Sequence, residues 1–155
     1  MLQQEGLLIK YRFATIEDAD KIYKLYQRLS AEDIYYRFFS LRKIFKEDII
    51  RNLTSKDKII VVAEVNGEIV GEVTLCGDGE FGIVVDPRYR NHGIGYNLLK
   101  FIINEAKKLG LPQIKFYALA TNTPMIKLGK KLGFKIVYNG DGEVLGILDL
   151  RNYYN

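Results

Sequence analysis

The stretch DPRYRNHGIGYNLL, from Asp86 to Leu99, is the most informative part of this 155-residue chain. Gly93 and Gly95 stand just before an apolar helical pattern, and the only histidine, His92, precedes them. The first N–H groups of a helix have no partner inside it, and the helix dipole adds partial positive charge there. Glycines without a Cβ let a phosphate come close to such amides. The stretch therefore predicts an anion site on the amides of Asn91 to Tyr96, or else only a tight turn.

Two familiar phosphate loops do not match this stretch. The dinucleotide-binding fingerprint needs a third glycine, whereas Gly95 is followed by Tyr96, Asn97 and Leu98. A P-loop needs Gly-Lys-Ser/Thr after a longer loop, and the chain contains no such sequence. The glycine pair alone therefore leaves the ligand open.

Upstream of this stretch the pattern predicts one strand, three helices and a three-stranded meander. Leu7 to Phe13 alternates like a strand, Thr15 opens a helix with Asp18 at the capping-box distance, and Ser30 repeats that start signal. A short helix is predicted from Glu47 to Leu53. The strands KIIVVAEV and EIVGEVTL are joined by Asn66-Gly67, a strong hairpin signal, and EFGIVV adds a third strand.

Downstream, the helix that follows the glycines is predicted to end near Leu109, where Gly110 and Pro112 mark its end. QIKFYALA is a strand, Thr123-Pro124 caps the next helix, and a hairpin closes the chain. The main order is β-α-α-β-β-β-α-β-α-β-β. We predict a single α+β domain over residues 1–155, with a mixed, mostly antiparallel central sheet flanked by helices.

The composition limits the kinds of partner and ligand that this chain is expected to have. The chain is 48% hydrophobic and 27% charged, has no apolar run near 18 residues, and shows no leader pattern at Met1, so no membrane contact is expected. A single cysteine, Cys76, favours a cytoplasmic setting. The net charge of +4 is spread over several helices, so no direct nucleic-acid binding is expected. One histidine and one cysteine make a metal site unexpected.

Longer motifs carry a family resemblance. Residues Arg90 to Gly95 match the Arg/Gln-x-x-Gly-x-Gly/Ala motif of the GNAT acetyltransferase superfamily, which stands between its fourth strand and third main helix. NTPMIKLGKKLGF resembles a second segment of that family, and the likeness covers about residues 9–150. RLSAEDIYYRFFS and GEFGIVVDPRYRNHGIG are most similar to Pat-type protein lysine acetyltransferases. The matching positions in the second segment are Asn122, Leu128, Lys131, Gly133 and Phe134.

The resemblance implies a GNAT fold and acetyl-CoA as cofactor. The pyrophosphate would lie on the amides after Arg90, the pantetheine arm would pair with strand backbone, and Asn122 would reach the arm from the far side. Lys127 or Lys130 would meet the adenosine phosphates or remain on a solvated helix face. The implied cofactor-binding residues are Val84, Val85, Arg90, Asn91, His92, Gly93, Ile94, Gly95, Tyr96 and Asn122.

Direct attack by an amine requires it to be neutral, and a lysine with a pKa of about 10.4 is mostly charged at pH 7. A general base is therefore expected. Glu80 stands five residues before Val85, roughly 17 Å back along the strand, which is comparable to a pantetheine arm. It also matches the strand-four glutamate that serves as base in many GNAT enzymes. Glu72 is the second catalytic candidate, and either carboxylate would otherwise be an ordinary surface strand residue.

The chain departs from the family pattern at Gly129, where many GNAT enzymes carry a tyrosine that protonates the departing thiolate. Tyr117 and Tyr138 are possible substitutes, although packing roles explain both equally well. By resemblance, the amide of Val84 or Val85 would donate to the oxygen that becomes negative during transfer. Cys76 would be a buried thiol, or would carry the acetyl group in a two-step route.

These expectations combine into an acetyl-CoA-dependent N-acetyltransferase that modifies protein lysines, for example on a metabolic enzyme or a chromatin protein. The alternatives are a small-amine or N-terminal acetyltransferase, or a CoA-binding sensor without activity. Acceptor choice is expected to depend on about residues 23–45 and on the last hairpin. The run IYYRFF within the first of these would wall an acceptor groove or pack in the core.

Overall fold

The computed structural model describes residues 7–154, so the prediction about a leader at Met1 falls outside the described residues. The helices are α1 (Ala19–Gln27), α2 (Ala31–Phe38), α3 (Lys46–Leu53), α4 (Ile94–Lys108) and α5 (Thr123–Lys131). The strands are β1 (Lys10–Phe13), β2 (Lys58–Val65), β3 (Glu68–Cys76), β4 (Phe81–Val85), β5 (Gln113–Leu119), β6 (Lys135–Tyr138) and β7 (Glu143–Asp149). The predicted α+β order is confirmed.

The strands form two antiparallel sheets that meet at one point. The first has the order β1-β2-β3-β4 and the second the order β5-β7-β6. Among the described residues a single parallel bridge, between Glu80 and Lys115, links them, and the Lys115 amide donates to the Gly79 carbonyl at 2.9 Å. Beyond this bridge β4 and β5 diverge. The predicted mixed sheet is therefore two antiparallel sheets joined at the start of β4 and β5.

The β2–β3 hairpin turns where the sequence predicts. Asn66 and Gly67 have φ values of 50° and 80°, the left-handed conformation that a tight two-residue hairpin turn needs. β3 runs through the middle of its sheet, and residues 69–75 are buried because helices cover both of its faces. This central position explains why β3 is apolar along most of its length.

Two apolar clusters lie on opposite faces of the first sheet. One contains the buried face of α4, including Leu98 and Ile102, and continues into the second sheet through Phe116. The other lies beneath α1, α2 and α3 and includes Ile22, Leu25 and Val84. The sheet therefore holds the helix that begins at the glycines on one face and the helices with the IYYRFF run on the other.

Two helix starts differ from the predicted ones. Thr15 caps a short 3₁₀ turn at Ile16–Asp18, and α1 follows it. The cap of α5 is Asn122, whose side-chain oxygen accepts from the Met125 amide at 3.3 Å, so Thr123 lies one position inside the helix. Asparagine is the stronger cap, and the first turn needs no amide donor at Pro124.

Candidate active site

A cleft of about 1100 Å³ opens where β4 and β5 diverge. Its walls come from α2, from β4 and the loop that follows it, from β5 and from the start of α5. β4 pairs with β3 on one edge, but on the other edge only Glu80 is bridged to β5 among the described residues. The backbone of Gly82 to Val85 on that edge therefore faces the cleft without a neighbouring strand.

The start of α4 presents free amide donors to one end of the cleft. Gly93 is the N-cap with a φ of 76°, and the first helical hydrogen bond runs from the Asn97 amide to the Gly93 carbonyl at 3.0 Å. The amides of Ile94, Gly95 and Tyr96 precede that bond, and no side chain caps them. These donors lie at the positive end of a 15-residue helix. The arrangement fits a phosphate group.

Gly93 and Gly95 lack a side chain for different reasons. Gly93 has the left-handed backbone that a side chain would strain. At Gly95 an added methyl group would meet the nearest atoms, in Leu128 and Val85, at 3.4 and 3.8 Å, which is close to ordinary contact. Packing therefore does not require a glycine at 95. A side chain there would instead reduce access to the free amides.

Arg90 joins the glycine loop to α2. Its guanidinium donates to Asp33 Oδ1 at 2.9 Å and to the Val85 carbonyl at 3.3 Å. Partial burial opposes ionisation of Asp33, but hydrogen bonds from Ser30 and Arg90 outweigh it, so the pKa of Asp33 lies below its ordinary value. The side chain predicted to meet a phosphate is thus already at the cleft, held by a carboxylate.

A fully buried carboxylate anchors the other end of the same loop. Asp86 accepts from Arg28 Nε at 2.6 Å and from the Arg88 amide at 2.9 Å. Arg28 also donates to the Ile69 carbonyl at 2.8 Å, which ties the end of α1 to β3. Burial opposes ionisation, but the hydrogen bonds from Arg88 and Arg28 keep the pKa of Asp86 below its ordinary value.

The two predicted carboxylates occupy different environments. Glu80 is exposed and lines the cleft at the end far from the free amides. Glu72 is 5% exposed, does not line the cleft, and accepts a hydrogen bond from the Tyr26 hydroxyl. Burial raises the pKa of Glu72, while the Tyr26 hydrogen bond and the charge of Arg37 act in the opposite direction. Glu80 alone of the two is placed to reach a molecule in the cleft.

The position of the absent tyrosine is filled by a phenylalanine. A Cβ on Gly129 would lie 2.9 Å from two ring atoms of Phe116, and a Cβ on Gly146 would clash with the same ring. Phe116 lines the cleft, so this wall is apolar. Of the two tyrosines considered as substitutes, Tyr117 lines the cleft, whereas Tyr138 does not.

Most predicted binding residues come together at the cleft. His92 is the exception, because its exposed ring packs near Tyr89, with the ring centroids 6.4 Å apart. Lys127, Lys130 and Cys76 are also outside the lining, and burial raises the pKa of the Cys76 thiol. The predicted binding residues that line the cleft are Val84, Val85, Arg90, Asn91, Gly93, Ile94, Gly95, Tyr96 and Asn122.

The IYYRFF run supplies cleft residues that sequence reasoning did not single out. Tyr36, Arg37, Phe38 and Phe39 line the cleft, while Ile34 is buried in the core. The run therefore both walls the groove and packs beneath the sheet. Its aromatic character pointed to this region, but no pattern in the sequence distinguished the role of one arginine from that of its neighbours.

The described part of the chain offers neither a membrane span nor a metal cluster. No helix within residues 7–154 is long and apolar enough to cross a membrane. In the same range, no group of three or more His, Cys, Asp or Glu side chains is placed to hold a metal ion.

Known proteins resemble this chain in sequence and in structure. The model of the Acetyltransferase (GNAT) family matches residues 16–134. An N-alpha-acetyltransferase from Sulfurisphaera tokodaii is 30% identical over 162 aligned positions, covering 90% of this chain and 91% of the relative.

Two solved structures share the fold. The GNAT domain of S. lividans PAT superposes with a TM-score of 0.82 at 22% identity, covering 97% of this chain and 100% of that domain. The yncA structure from Salmonella typhimurium, solved with its cofactor acetyl-CoA, gives a TM-score of 0.74 at 22% identity and covers 92% of this chain and 94% of its own.

Proposed function

Because the chain belongs to the GNAT acetyltransferase family, we propose that it acetylates the side-chain amine of lysines in proteins. Membership of the family makes it an acetyl-CoA-dependent N-acetyltransferase with the GNAT fold. The proposal concerns the acceptor and the residues that act on it. The observation that carries it is the cleft itself, which has free amides at one end and an accessible carboxylate, Glu80, at the other.

The residues at the first end fit the cofactor. The free amides of Ile94, Gly95 and Tyr96 would hold the pyrophosphate, with Arg90 beside them. The open edge of β4 at Val84 and Val85 would pair with the amide groups of the pantetheine arm. When bound, acetyl-CoA supplies the activated acetyl group and a thiolate leaving group.

The residues at the second end prepare the acceptor. Glu80 would take a proton from the lysine ammonium, directly or through one water, because a neutral amine is rare at pH 7. The amide of Val84 or Val85 would donate to the oxygen on which negative charge develops. Glu72 is less suited to this work, since it is buried and already accepts from Tyr26.

No tyrosine occupies the position from which many GNAT enzymes protonate the thiolate. Gly129 lies under the Phe116 ring, so that wall provides no proton. A thiol with a pKa of about 8.5 leaves as a thiolate without full protonation, which makes such a group dispensable. The cleft is therefore proposed to work with a base and without a dedicated acid.

A protein lysine is favoured by two features. The acceptor end is walled by α2, where the sequence is most similar to Pat-type protein lysine acetyltransferases, and a PAT GNAT domain shares the fold. The cleft also remains open to solvent at Glu80, so that a lysine side chain on a large protein can enter. The proposed acceptors include metabolic enzymes and chromatin proteins.

A second acceptor class has its own support. The relative that is 30% identical over 90% of this chain is an N-alpha-acetyltransferase. The α-amine of a protein N-terminus would use the same cofactor. It differs from a lysine amine in the shape of the chain to which it is attached and in its lower pKa of about 7.7–8.0, so it depends less on a base at pH 7. The N-terminal amine is therefore the alternative that the experiment must separate.

The test uses two peptide sets with the purified protein and acetyl-CoA. One set carries a lysine and a blocked N-terminus, and the other carries a free N-terminus and no lysine. The expected result is CoA release matched by mass gain on the lysine peptides. Acetylation of the second set alone would replace the lysine proposal with the N-terminal alternative. Tight CoA binding without transfer to either set would indicate a sensor.

A further inference from the structure

Arg37 lines the end of the cleft where Glu80 lies, and it has no carboxylate partner among the described residues. Six other arginines form ion pairs with carboxylates, namely Arg12, Arg28, Arg51, Arg88, Arg90 and Arg151. Arg37 forms none with any residue of the described range, and its buried Nε atom has no hydrogen-bond partner there. An unpaired buried donor of a charged group is costly in isolation. The Nε atom of Arg37 therefore lacks a hydrogen-bond acceptor in the part of the chain that the structure describes.

The guanidinium is held in place by its surroundings. It lies flat against β4 at Gly82, where an added Cβ would clash with Cζ and come within 2.7 Å of Nε. Cζ also lies 4.6 Å from the centre of the Phe38 ring. A side chain at position 82 would therefore require this planar group to move. The bare backbone at this point thus serves to seat the arginine.

The buried polar groups nearby do not satisfy Arg37 Nε. Burial raises the pKa of Glu72, and the charge of Arg37 acts against that rise. Glu72 nevertheless accepts its hydrogen bond from Tyr26. Arg37 also acts on the Tyr26 oxygen, lowering the pKa of that phenol against a larger rise caused by burial. Nε is buried, so a molecule in the cleft would meet the terminal nitrogens of Arg37, which lines the cleft. The N–H groups of a guanidinium match the oxygens of a carboxylate.

We infer that Arg37 binds a carboxylate of the acceptor, so that the enzyme prefers a lysine next to an aspartate or glutamate. This inference rests on the proposed function. It adds Arg37 as a residue that determines which acceptors the enzyme prefers. Gly82 and Glu80 are two residues apart, about 7 Å along the strand. A lysine amine near Glu80 and the side-chain carboxylate of a neighbouring residue span such a separation. The amine and carboxylate of one free α-amino acid, joined to the same carbon, do not.

The experiment compares matched peptides with blocked ends, in which one lysine is flanked by glutamate or by glutamine. For the wild type, kcat/KM is expected to favour the glutamate peptide by about ten- to hundredfold, mainly through KM. Arg37→Gln should reduce this ratio to near one, through a rise in KM for the glutamate peptide. Equal rates of the wild type on both peptides would overturn the inference, as would an equal loss on both peptides in the variant.

Arg42→Gln is the matched control. Arg42 also lies over the Phe38 ring, with Cζ 4.9 Å from its centre, but it is exposed and outside the cleft lining. This variant should keep the glutamate preference. Gly82→Ala is a second probe, because the new Cβ displaces the guanidinium without removing its charge. Unchanged acetyl-CoA affinity in all variants will show that the cleft remains folded.

Failure of the proposed function is recognised separately. If lysine peptides are not acetylated but free N-termini are, the glutamate–glutamine comparison is repeated at the second residue of an unblocked peptide. If nothing is acetylated, calorimetry on the protein–CoA complex compares binding of the two lysine peptides. A preference that depends on Arg37 supports the inference in either case, and equal or absent binding contradicts it.

Discussion

At the scale of single residues, Glu80 is proposed as the base because of where it lies in the structure. The surrounding sequence hardly distinguishes it from Glu72. Both lie near the middle of the chain, Glu72 within β3 and Glu80 just before β4. Glu72 lies under α1 with a Tyr26 hydrogen bond, whereas Glu80 lies in the cleft at the point where the two sheets touch. A base must reach its proton, so accessibility decides between them.

Replacement of Glu80 by glutamine should lower kcat/KM by about 100-fold near pH 7. The loss should shrink as the pH rises toward the lysine pKa of about 10.4, because more of the amine is then neutral without help. The measurement is the pH profile of acetyl transfer for wild type and Glu80→Gln. A variant profile parallel to that of the wild type would exclude Glu80 as the base. Glu72→Gln serves as comparison and should retain the shape of the wild-type profile.

At the scale of elements, the start of α4 combines a turn with the proposed binding surface for the cofactor. The Asp86 cluster fixes the loop at one end, and Arg90 with Asp33 fixes it near the helix. Gly93 provides the left-handed turn, and the free amides follow it. Different residues of this loop therefore hold its conformation and offer the proposed binding surface. Substitutions can affect the stability of the fold and the affinity for acetyl-CoA separately.

Gly95→Ala should leave the free energy of unfolding without ligand unchanged or slightly increased. The methyl group meets only contacts at 3.4 Å or more, and alanine is favoured over glycine in a helix by about 1 kcal/mol. Acetyl-CoA affinity should fall at least tenfold, because the methyl group obstructs the amides. Calorimetric titration and urea unfolding measure the two quantities. Unimpaired binding would show that the glycine serves only the turn.

Asp86→Asn should destabilise the fold by about 3 kcal/mol at pH 7, since it removes one partner of a buried ion pair. Because the pKa of Asp86 is lowered on folding, its contribution is present above the unfolded value of about 3.9 and is lost as pH falls below it. The difference between wild type and variant in urea unfolding should therefore shrink below about pH 4.

The control for that substitution is Asp149→Asn. Arg151 lowers the pKa of this exposed carboxylate to about 2, but solvent screens the pair, so little change in stability is expected. A loss as large as that of Asp86→Asn would mean that burial is not the cause of the effect.

On the scale of the whole molecule, the cleft lies between two sheets that share one bridge. Within residues 7–154, backbone pairing between the two sheets is limited to the Glu80–Lys115 bridge. α2 spans the opening through the Tyr36 hydroxyl, which is 3.2 Å from Thr121 Oγ1. A cofactor in the cleft would touch both sheets. It is therefore expected to join them more firmly than the protein alone does.

Acetyl-CoA at a hundredfold its Kd should stabilise the protein by about 2.7 kcal/mol. For a chain of this size the corresponding rise in Tm is about 5–10 °C. Hydrogen exchange should slow in β4 and at the start of α5 together, while α3, which does not line the cleft, stays unchanged. Protection confined to β4 or to the start of α5 alone would contradict binding across the cleft.

The sequence by itself determined the order of elements, the Asn66-Gly67 hairpin and the helix start at Gly93, because each depends on backbone preferences and on neighbours a few residues away. It also indicated nine cleft-lining residues through motifs that are local in the chain. Only the tertiary structure buried Glu72 and left Glu80 exposed in the cleft, placed Phe116 over Gly129, and left Arg37 lining the cleft without a carboxylate partner among the described residues. Burial and pairing of these side chains depend on elements far apart in the chain, which no local pattern records.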